Sequence, residues 1–342
     1  MKKIIEQVLK KKKILIVSEI GINHFGSLKY AKKIVDAIKD GGGEAVKVQI
    51  HLPDEEMSSE ARNIKPGNSN KNIFSIIKQN SLSLEQEDKL KKYIEKKNLL
   101  YIATPFSYKA ATWLHKKKIK IFKIGSGECN NLPLIEHVSS FGKPMIISTG
   151  MNNLNDVKKT LSFLKKKNKN ILLHCVNLYP TEIKDINFQR MSKMIKKFKK
   201  SIIGFSDHTV GTNAAKIAIS KGAWVIEKHF ALNKKDKGPD ISCSMDKSDL
   251  IDLIKFSKDF LITEFKKKNF KDIEKVTKRF AFHSVVTKKK IKKGEFFSYD
   301  NLTTKRPGTG DFHANKIIKL IGKRAKIDID NNILLKKKHV QA

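Results

Sequence analysis

Eight short runs of apolar, largely β-branched residues recur along the chain, each followed by a polar stretch with helical spacing or a loop leading to one. They read "KILIVSEIG" (13–21), "AVKVQI" (45–50), "LLYIATPF" (99–106), "IFKIGSGE" (121–128), "PMIISTGM" (144–151), "NILLHCVNLYP" (170–180), "SIIGFSDHT" (201–209) and "AWVIEKHF" (223–230). Between them the pattern predicts helices at 28–40, 84–98, 107–117, 153–167, 185–199 and 211–221, and another at 247–262. Strands that alternate with helices build parallel β/α units, and eight of them predict a closed (β/α)8 barrel rather than an open doubly wound sheet. No GxGxxG follows the first strand and no GxxxxGK occurs, which argues against dinucleotide and P-loop chemistry.

The pattern changes near residue 265. "KKKNFKDIEKVTKRF" reads as a charged connector, and "FAFHSVVTKKKIKKGEFFSYDNLTTKRPGTG" as short strands and turns. The expected organisation is therefore an α/β barrel domain at 1–265, a linker at 266–279 and a small β-rich domain at 280–342. A chain of 342 residues is long enough for such a pair.

Cys129, Cys175 and Cys243 stand far apart with no CxxC spacing, so neither a disulfide framework nor a structural zinc site is expected. None has a base beside it in sequence, and all three read as inert. The basic N-terminus has too short an apolar run for a signal peptide, and no run elsewhere is long enough to cross a bilayer. A cytoplasmic protein with no membrane association is the expectation.

The formal net charge of +37 invites a nucleic-acid reading. Its distribution argues against one. Only five of the 71 basic residues are arginine (Arg62, Arg190, Arg279, Arg306, Arg324), and the lysine runs are scattered without interleaved aromatics. A solvated, lysine-rich surface that helps attract an anionic substrate fits better, with polyanion binding kept as a rival of a different class.

In a β/α barrel the active-site face lies at the C-terminal ends of the strands. Polar residues concentrate there: Glu19 on the first strand, Lys47 and Gln49 on the second, Thr104 on the third, Lys123 and Ser126 on the fourth. Ser148 and Thr149 follow on the fifth, His174 and Asn177 on the sixth, Ser206 and His208 on the seventh, Glu227 and His229 on the eighth. Side chains two apart share a face, so 47 with 49, 206 with 208 and 227 with 229 are expected to point inward, and Lys228 outward.

Each group has a functional and a structural reading. His208 and His229 suit a divalent metal with positions open for water and substrate, or are simply satisfied histidines. Lys47 and Lys123 are costly inside a barrel unless they meet a phosphate or carboxylate, or pair with Glu19, Glu128 or Glu227. With the hydroxyls of Thr104, Ser126, Ser148 and Ser206 they describe an anion pocket.

Taken together, "SEIGINHFGSLKYAKKIVDAIKDGGGEAVKVQ", "ATPF", "FKIGSGECNNLPLIEHVSSFGKPMIISTGM", "NLYPT", "GFSDHT", "VIEKHF" and "GPDISCSM" closely resemble the bacterial sialic acid synthases, and the C-terminal segment resembles their antifreeze-like (SAF) domain. The resemblance implies condensation of phosphoenolpyruvate with N-acetylmannosamine to give N-acetylneuraminate and phosphate, in a domain-swapped homodimer. A legionaminate-type synthase, acting on a 2,4-diacetamido-6-deoxy hexose, is the alternative. By motif, His208 and His229 become ligands of a divalent ion, Mn2+ before Mg2+ or Co2+. Lys47, Thr104, Lys123, Ser126, Ser148, Asn177 and Ser206 would hold phosphoenolpyruvate. Gln49, Tyr179, Glu227 and Asp240 would contact the amino sugar, and Arg306 would reach its acetamido group from the other subunit. Glu19 would sit near the attacking water. Phe25 of "GINHFG" departs from the small polar residue common in that family.

Overall fold

Every one of the eight apolar runs forms a strand in the computed structural model, which describes residues 2–67, 69–165, 169–265 and 273–341. These are β1 (Leu15–Glu19), β2 (Ala45–Ile50), β3 (Leu100–Pro105), β4 (Phe122–Ile124), β5 (Met145–Ser148), β6 (Asn170–Cys175), β7 (Ile202–Asp207) and β8 (Val225–His229). All neighbours are parallel, and β1 pairs with both β2 and β8, so the sheet closes as the strand count predicts. The strands are shorter than the apolar runs. β4 ends at Ile124 and β6 at Cys175, which puts Ser126, Glu128, Asn177 and Tyr179 on the loops that follow.

The period of two sorts the strand residues into layers. At the lower end of the barrel interior, Leu15, Val17, Ala45, Leu100, Ile102, Ile146, Ile171, Leu173 and Val225 form one apolar cluster. Ile5 and Val8 complete it from the helix Lys2–Leu9, which closes the floor and was not foreseen in the sequence. Burial of each Val, Leu or Ile among them is worth about 1.5–3 kcal/mol, and this dry base is what supports polar groups above it. The alternate residues, among them Ile16, Val46, Tyr101, Ile147, Leu172 and Ile226, face outward into a second cluster shared with the helices.

The surrounding helices start on side-chain caps. Ser27 accepts from the Tyr30 amide ahead of Leu28–Asp40, and Ser83 with Gln86 and Asn153 with Asp156 form reciprocal capping boxes. The helix expected at 153–167 is shorter, Leu154–Ser162, because the lysine-rich stretch after it has no apolar period to bury; residues 166–168 lie outside the described residues. Two helices not predicted, Pro53–Glu56 and Ile73–Asn80, occupy the long connection after β2. Among the described residues no helix is long and apolar enough to cross a membrane.

The described residues fall into two compact units that divide after residue 265. Of the linker expected at 266–279, residues 266–272 lie outside the described residues, and Lys275–Ala281 is helical. The second unit pairs β9 (Ser284–Thr287) antiparallel with β10 (Leu302–Lys305) over a small core of Val285, Ile291, Phe297, Leu302, Leu320 and Leu335.

Candidate active site

Polar residues take over the inward positions at the C-terminal ends of the strands. On β8, Val225 belongs to the apolar floor, and Glu227 and His229 continue the same inward row. Lys228 takes the opposite side, wholly buried, where its ammonium donates to Asp207 Oδ2 at 3.0 Å and the Thr209 carbonyl at 2.7 Å. The charged end of "VIEKHF" thus serves two faces of one wall.

A cavity of about 180 Å³ is lined by Lys47, Thr104, Lys123, Ser126, Ser148, Asn177, Ser206, His208, Glu227 and His229. Lys123 Nζ donates to Ser148 Oγ at 2.8 Å and lies 3.5 Å from Glu227 Oε1, which also accepts from Ser206 Oγ at 3.1 Å. Lys47 is ion-paired with Glu19, lies 4.0 Å from Glu227 and reaches Thr104 Oγ1 at 3.3 Å. Of the three acids that could have held the lysines, Glu19 and Glu227 do so and Glu128 does not. The lysines are thus paired with carboxylates, and both also border the cavity, which Glu227 lines with them. Behind the cavity, a methyl group at Gly150 would collide with Asn177 Oδ1 and sit 2.9 Å from Ser126 Oγ, so a larger residue there would displace two side chains that line it.

Burial separates the two inner carboxyls. It raises Glu19 to about 7 despite Lys47, whereas in Glu227 the same desolvation is outweighed by Lys123 and Lys47 and the group stays below the usual range. Burial lowers Lys123, with Glu227 opposing; in Lys47 the effect of burial is exceeded by Glu19 and Glu227, which hold it up. Two neighbouring acids with opposite shifts are the arrangement in which one can exchange a proton and the other stay charged.

His208 and His229 stand with ring centroids 5.6 Å apart, and Tyr179 packs on His208 at 4.2 Å. His208 Nδ1 donates to the Val176 carbonyl at 2.7 Å, which makes Nε2 the lone-pair nitrogen of its neutral form. His229 is pushed well below the ordinary histidine range by burial and by His208, so it is neutral, and its buried Nδ1 has no hydrogen-bond partner among the described residues. A neutral imidazole with an unused ring nitrogen, as in His229, fits a divalent ion; in His208 the effect of burial is outweighed by the Cys175 thiol, which holds the ring above the ordinary histidine range, so His208 would release a proton on joining it. Among the described residues no group of three or more His, Cys, Asp or Glu is placed to hold a metal, so a bound ion would draw its other ligands from water and substrate.

A second cavity, about 440 Å³, shares Gln49, Phe106, Glu128, Tyr179 and His229 with the first. Asp240 closes one side, 3.6 Å from His229 Nδ1 and raised by burial to about 6. Gly21, at φ +52°, lets the chain turn beside them where a side chain would press on His229 and Asp240. Met57, Ile73, Ile76 and Ile77 give the same cavity an apolar part.

The structure departs from the sequence reading at several positions. His174 does not face the mouth: β6 turns it outward, where Nε2 donates to the Ile186 carbonyl at 2.6 Å and burial lowers it to about 4. Thr149 likewise bonds the Leu173 carbonyl behind the wall. Cys175 takes the inward position instead, with Sγ 3.9 Å from His208 Nδ1; burial would raise the thiol, but His208 brings it below the usual range. It is thus not without a basic neighbour, as its sequence context implied. Arg306 is exposed on the loop after β10 in the second unit. His51 and Glu56 were missed. His51 continues the inward parity of Lys47 and Gln49, bonding Gln49 Oε1 at 3.0 Å and Glu56 at 2.9 Å while stacking on Phe106.

Residues 34–268 match the NeuB family and residues 282–341 the SAF domain. The chain is 36% identical over 313 residues, 87% of its own length and 92% of the relative's, to the N,N'-diacetyllegionaminic acid synthase of Campylobacter jejuni. It is 29% identical to human N-acetylneuraminate-9-phosphate synthase, covering 93% and 90% of the two chains. The crystal structure of N-acetylneuraminic acid (sialic acid) synthetase from Leptospira borgpetersenii in complex with citrate superposes with a TM-score of 0.70 at 27% identity, over 78% of this chain and 91% of that one. With a family match across most of the barrel and a second across the C-terminal unit, the chain belongs to the NeuB family of synthases and is an enzyme that carries a SAF domain.

Proposed function

We propose that the chain condenses phosphoenolpyruvate with an N-acetylated amino hexose in its open-chain form, consuming one water and releasing phosphate, to give a nine-carbon 2-keto sugar acid. The observation that carries this reading is the pair of adjoining cavities: a small one rimmed by Lys47, Lys123, Ser126, Ser148 and Asn177, suited to a compact dianion, and a larger one bounded by Gln49, Tyr179 and Asp240, suited to a sugar. The lysines and hydroxyls orient phosphoenolpyruvate by its phosphate and carboxylate and receive the charge that develops as phosphate leaves. Its C3 forms the new bond to the sugar aldehyde carbon, the aldehyde oxygen takes up the proton that Glu19 carries, and the electron-poor C2 accepts water. Glu19 takes the proton from that water, and cleavage of the C2–O bond expels phosphate and leaves the ketone. A divalent ion on His208 and His229, Mn2+ in the first instance, supplies Lewis-acid polarisation when bound.

N-acetylmannosamine is the acceptor expected from the sequence. A second reading, a 2,4-diacetamido-6-deoxy hexose, is favoured by the apolar part of the larger cavity, where Met57, Ile73, Ile76 and Ile77 suit a methyl group better than a hydroxymethyl. The C. jejuni relative named above is a legionaminic acid synthase, which accords with it. The site works in the cytoplasm, and Arg306 of a second copy completes the sugar pocket in a swapped homodimer. The test is phosphate release from phosphoenolpyruvate with Mn2+ and each sugar in turn, with the product mass recorded. Turnover of either sugar supports the condensation and the mass identifies the acceptor. Silence with both, beside tight and steeply salt-dependent binding to generic DNA, overturns it in favour of a polyanion-binding protein.

A further inference from the structure

Arg190, on the helix Phe188–Lys197 that follows β6, places a guanidinium behind the small cavity and spends its donors on neutral groups. Nη2 donates to the carbonyls of Thr149 at 2.8 Å and Asn152 at 2.7 Å. Nη1 donates to Thr149 Oγ1 at 3.0 Å and to His174 Nδ1 at 3.1 Å, and also lies 3.4 Å from Met194 Sδ. His174 is fixed as the acceptor because its other ring nitrogen donates to the Ile186 carbonyl. Among the described residues no carboxylate pairs with this half-buried cation.

The segment it grips, Thr149 to Asn152, backs the part of the proposed phosphoenolpyruvate pocket that Ser126 and Ser148 line. It begins directly after Ser148, which accepts from Lys123. Its Gly150 amide donates to Ser126 Oγ at 3.1 Å, and its buried Asn152 side chain donates to the Ser126 carbonyl at 3.0 Å and the Gly150 carbonyl at 2.6 Å. Ser126, Ser148 and the approach of Gly150 to Asn177 therefore depend on where two carbonyls are held, and a planar fork can hold two carbonyls where a lysine ammonium holds them poorly.

We infer that Arg190 is a positioning residue for the phosphoenolpyruvate subsite: it fixes the 149–152 turn so that Ser126, Ser148 and Lys123 meet the anion, without touching it. The inference rests on the proposed condensation. Displacement of such a segment by about an ångström is enough to cost a large factor in productive binding, so the effect should fall on one substrate and spare the other.

The experiment measures the dissociation constant of phosphoenolpyruvate by calorimetry and the KM of both substrates for the wild type, R190M, R190K and N152S, with circular dichroism and melting temperature as folding checks. For R190M we expect affinity and KM for phosphoenolpyruvate to worsen by about tenfold or more, with the sugar KM within twofold. R190K should recover only part of the loss, and N152S, which cuts the link to Ser126 and leaves Arg190 in place, should show the same selectivity. If R190M does not fold, R190K and N152S carry the test. Unchanged affinity for phosphoenolpyruvate, or an equal rise in both KM values, overturns the positioning role while leaving the condensation intact. A wild-type protein that neither binds phosphoenolpyruvate nor turns it over overturns the condensation itself, and the inference with it.

Discussion

Lys228 and Asp207 meet at 3.0 Å on the helix-facing side of the barrel wall, both wholly shielded from water, directly behind Glu227 and Ser206 on the cavity side. Adjacent residues on two neighbouring strands thus make a structural pair outside and a site pair inside. Removing one partner leaves a bare charge in the core, so Lys228→Met is expected to cost about 3 to 5 kcal/mol. Lys228→Met combined with Asp207→Asn should recover much of that. Urea denaturation of the three proteins checks it, and a single variant as stable as the wild type would refute the pair's structural role.

His208→Ala and His229→Ala should each lower Mn2+-dependent turnover by at least about a hundredfold, with circular dichroism unchanged. Bound metal, measured by elemental analysis after desalting, should fall in parallel. Full activity in either variant would remove these residues from metal binding.

Glu87 supplies a pH test away from the site. It is almost fully buried on the helix Leu84–Lys96, burial raises it to about 8, and its Oε2 has no hydrogen-bond partner among the described residues. Because the folded state holds this proton more tightly than the unfolded one, its contribution is fully present below the usual carboxylate range near 4.5 and is lost as pH rises through about 8. Glu87→Gln, which cannot ionise, should gain about 1 to 4 kcal/mol relative to the wild type at pH 8.5 and little at pH 4.5. Denaturant midpoints at the two pH values decide; an equal difference at both would show that ionisation is not involved.

Complementation tests the swapped dimer. A His208→Ala protein and an Arg306→Ala protein, each inactive or nearly so, are unfolded together and refolded as a mixture. If Arg306 serves the site of the other copy, the mixture should regain about a quarter of the wild-type rate, since half the dimers are mixed and each has one intact site. No recovery would place Arg306 in its own chain's site or in none.

Much of the barrel was readable because a strand enclosed on both faces needs an unbroken apolar run, and eight such runs are hard to arrange otherwise. The strand-end polar groups were readable for the same reason, as ionisable residues stand out against that background. Parity was the weak point. In "NILLHC" both faces are buried, so nothing local says whether His174 or Cys175 looks inward; counting back by twos from Asn177 would have chosen Cys175. The apolar part of the larger cavity escaped notice because Ile73, Ile76 and Ile77 lie in a long β2–β3 connection whose short helices follow no barrel repeat. The floor helix was hidden by its lysines, although Ile4, Ile5, Val8 and Leu9 already lie on one helical face.

The seam between the first and last strands has a consequence for synthesis. Leu15 lies opposite Val225, and Glu19 opposite His229, so β1 leaves the ribosome about 210 residues, or roughly 10 to 40 s, before its second neighbour exists. Until then one edge of the nascent sheet stays open and exposed to wrong partners. The pairing that shuts this edge also sets Glu19 level with His229, so translation must run past residue 229 before the chain has either a sealed barrel or the full set of strand ends around its cavity.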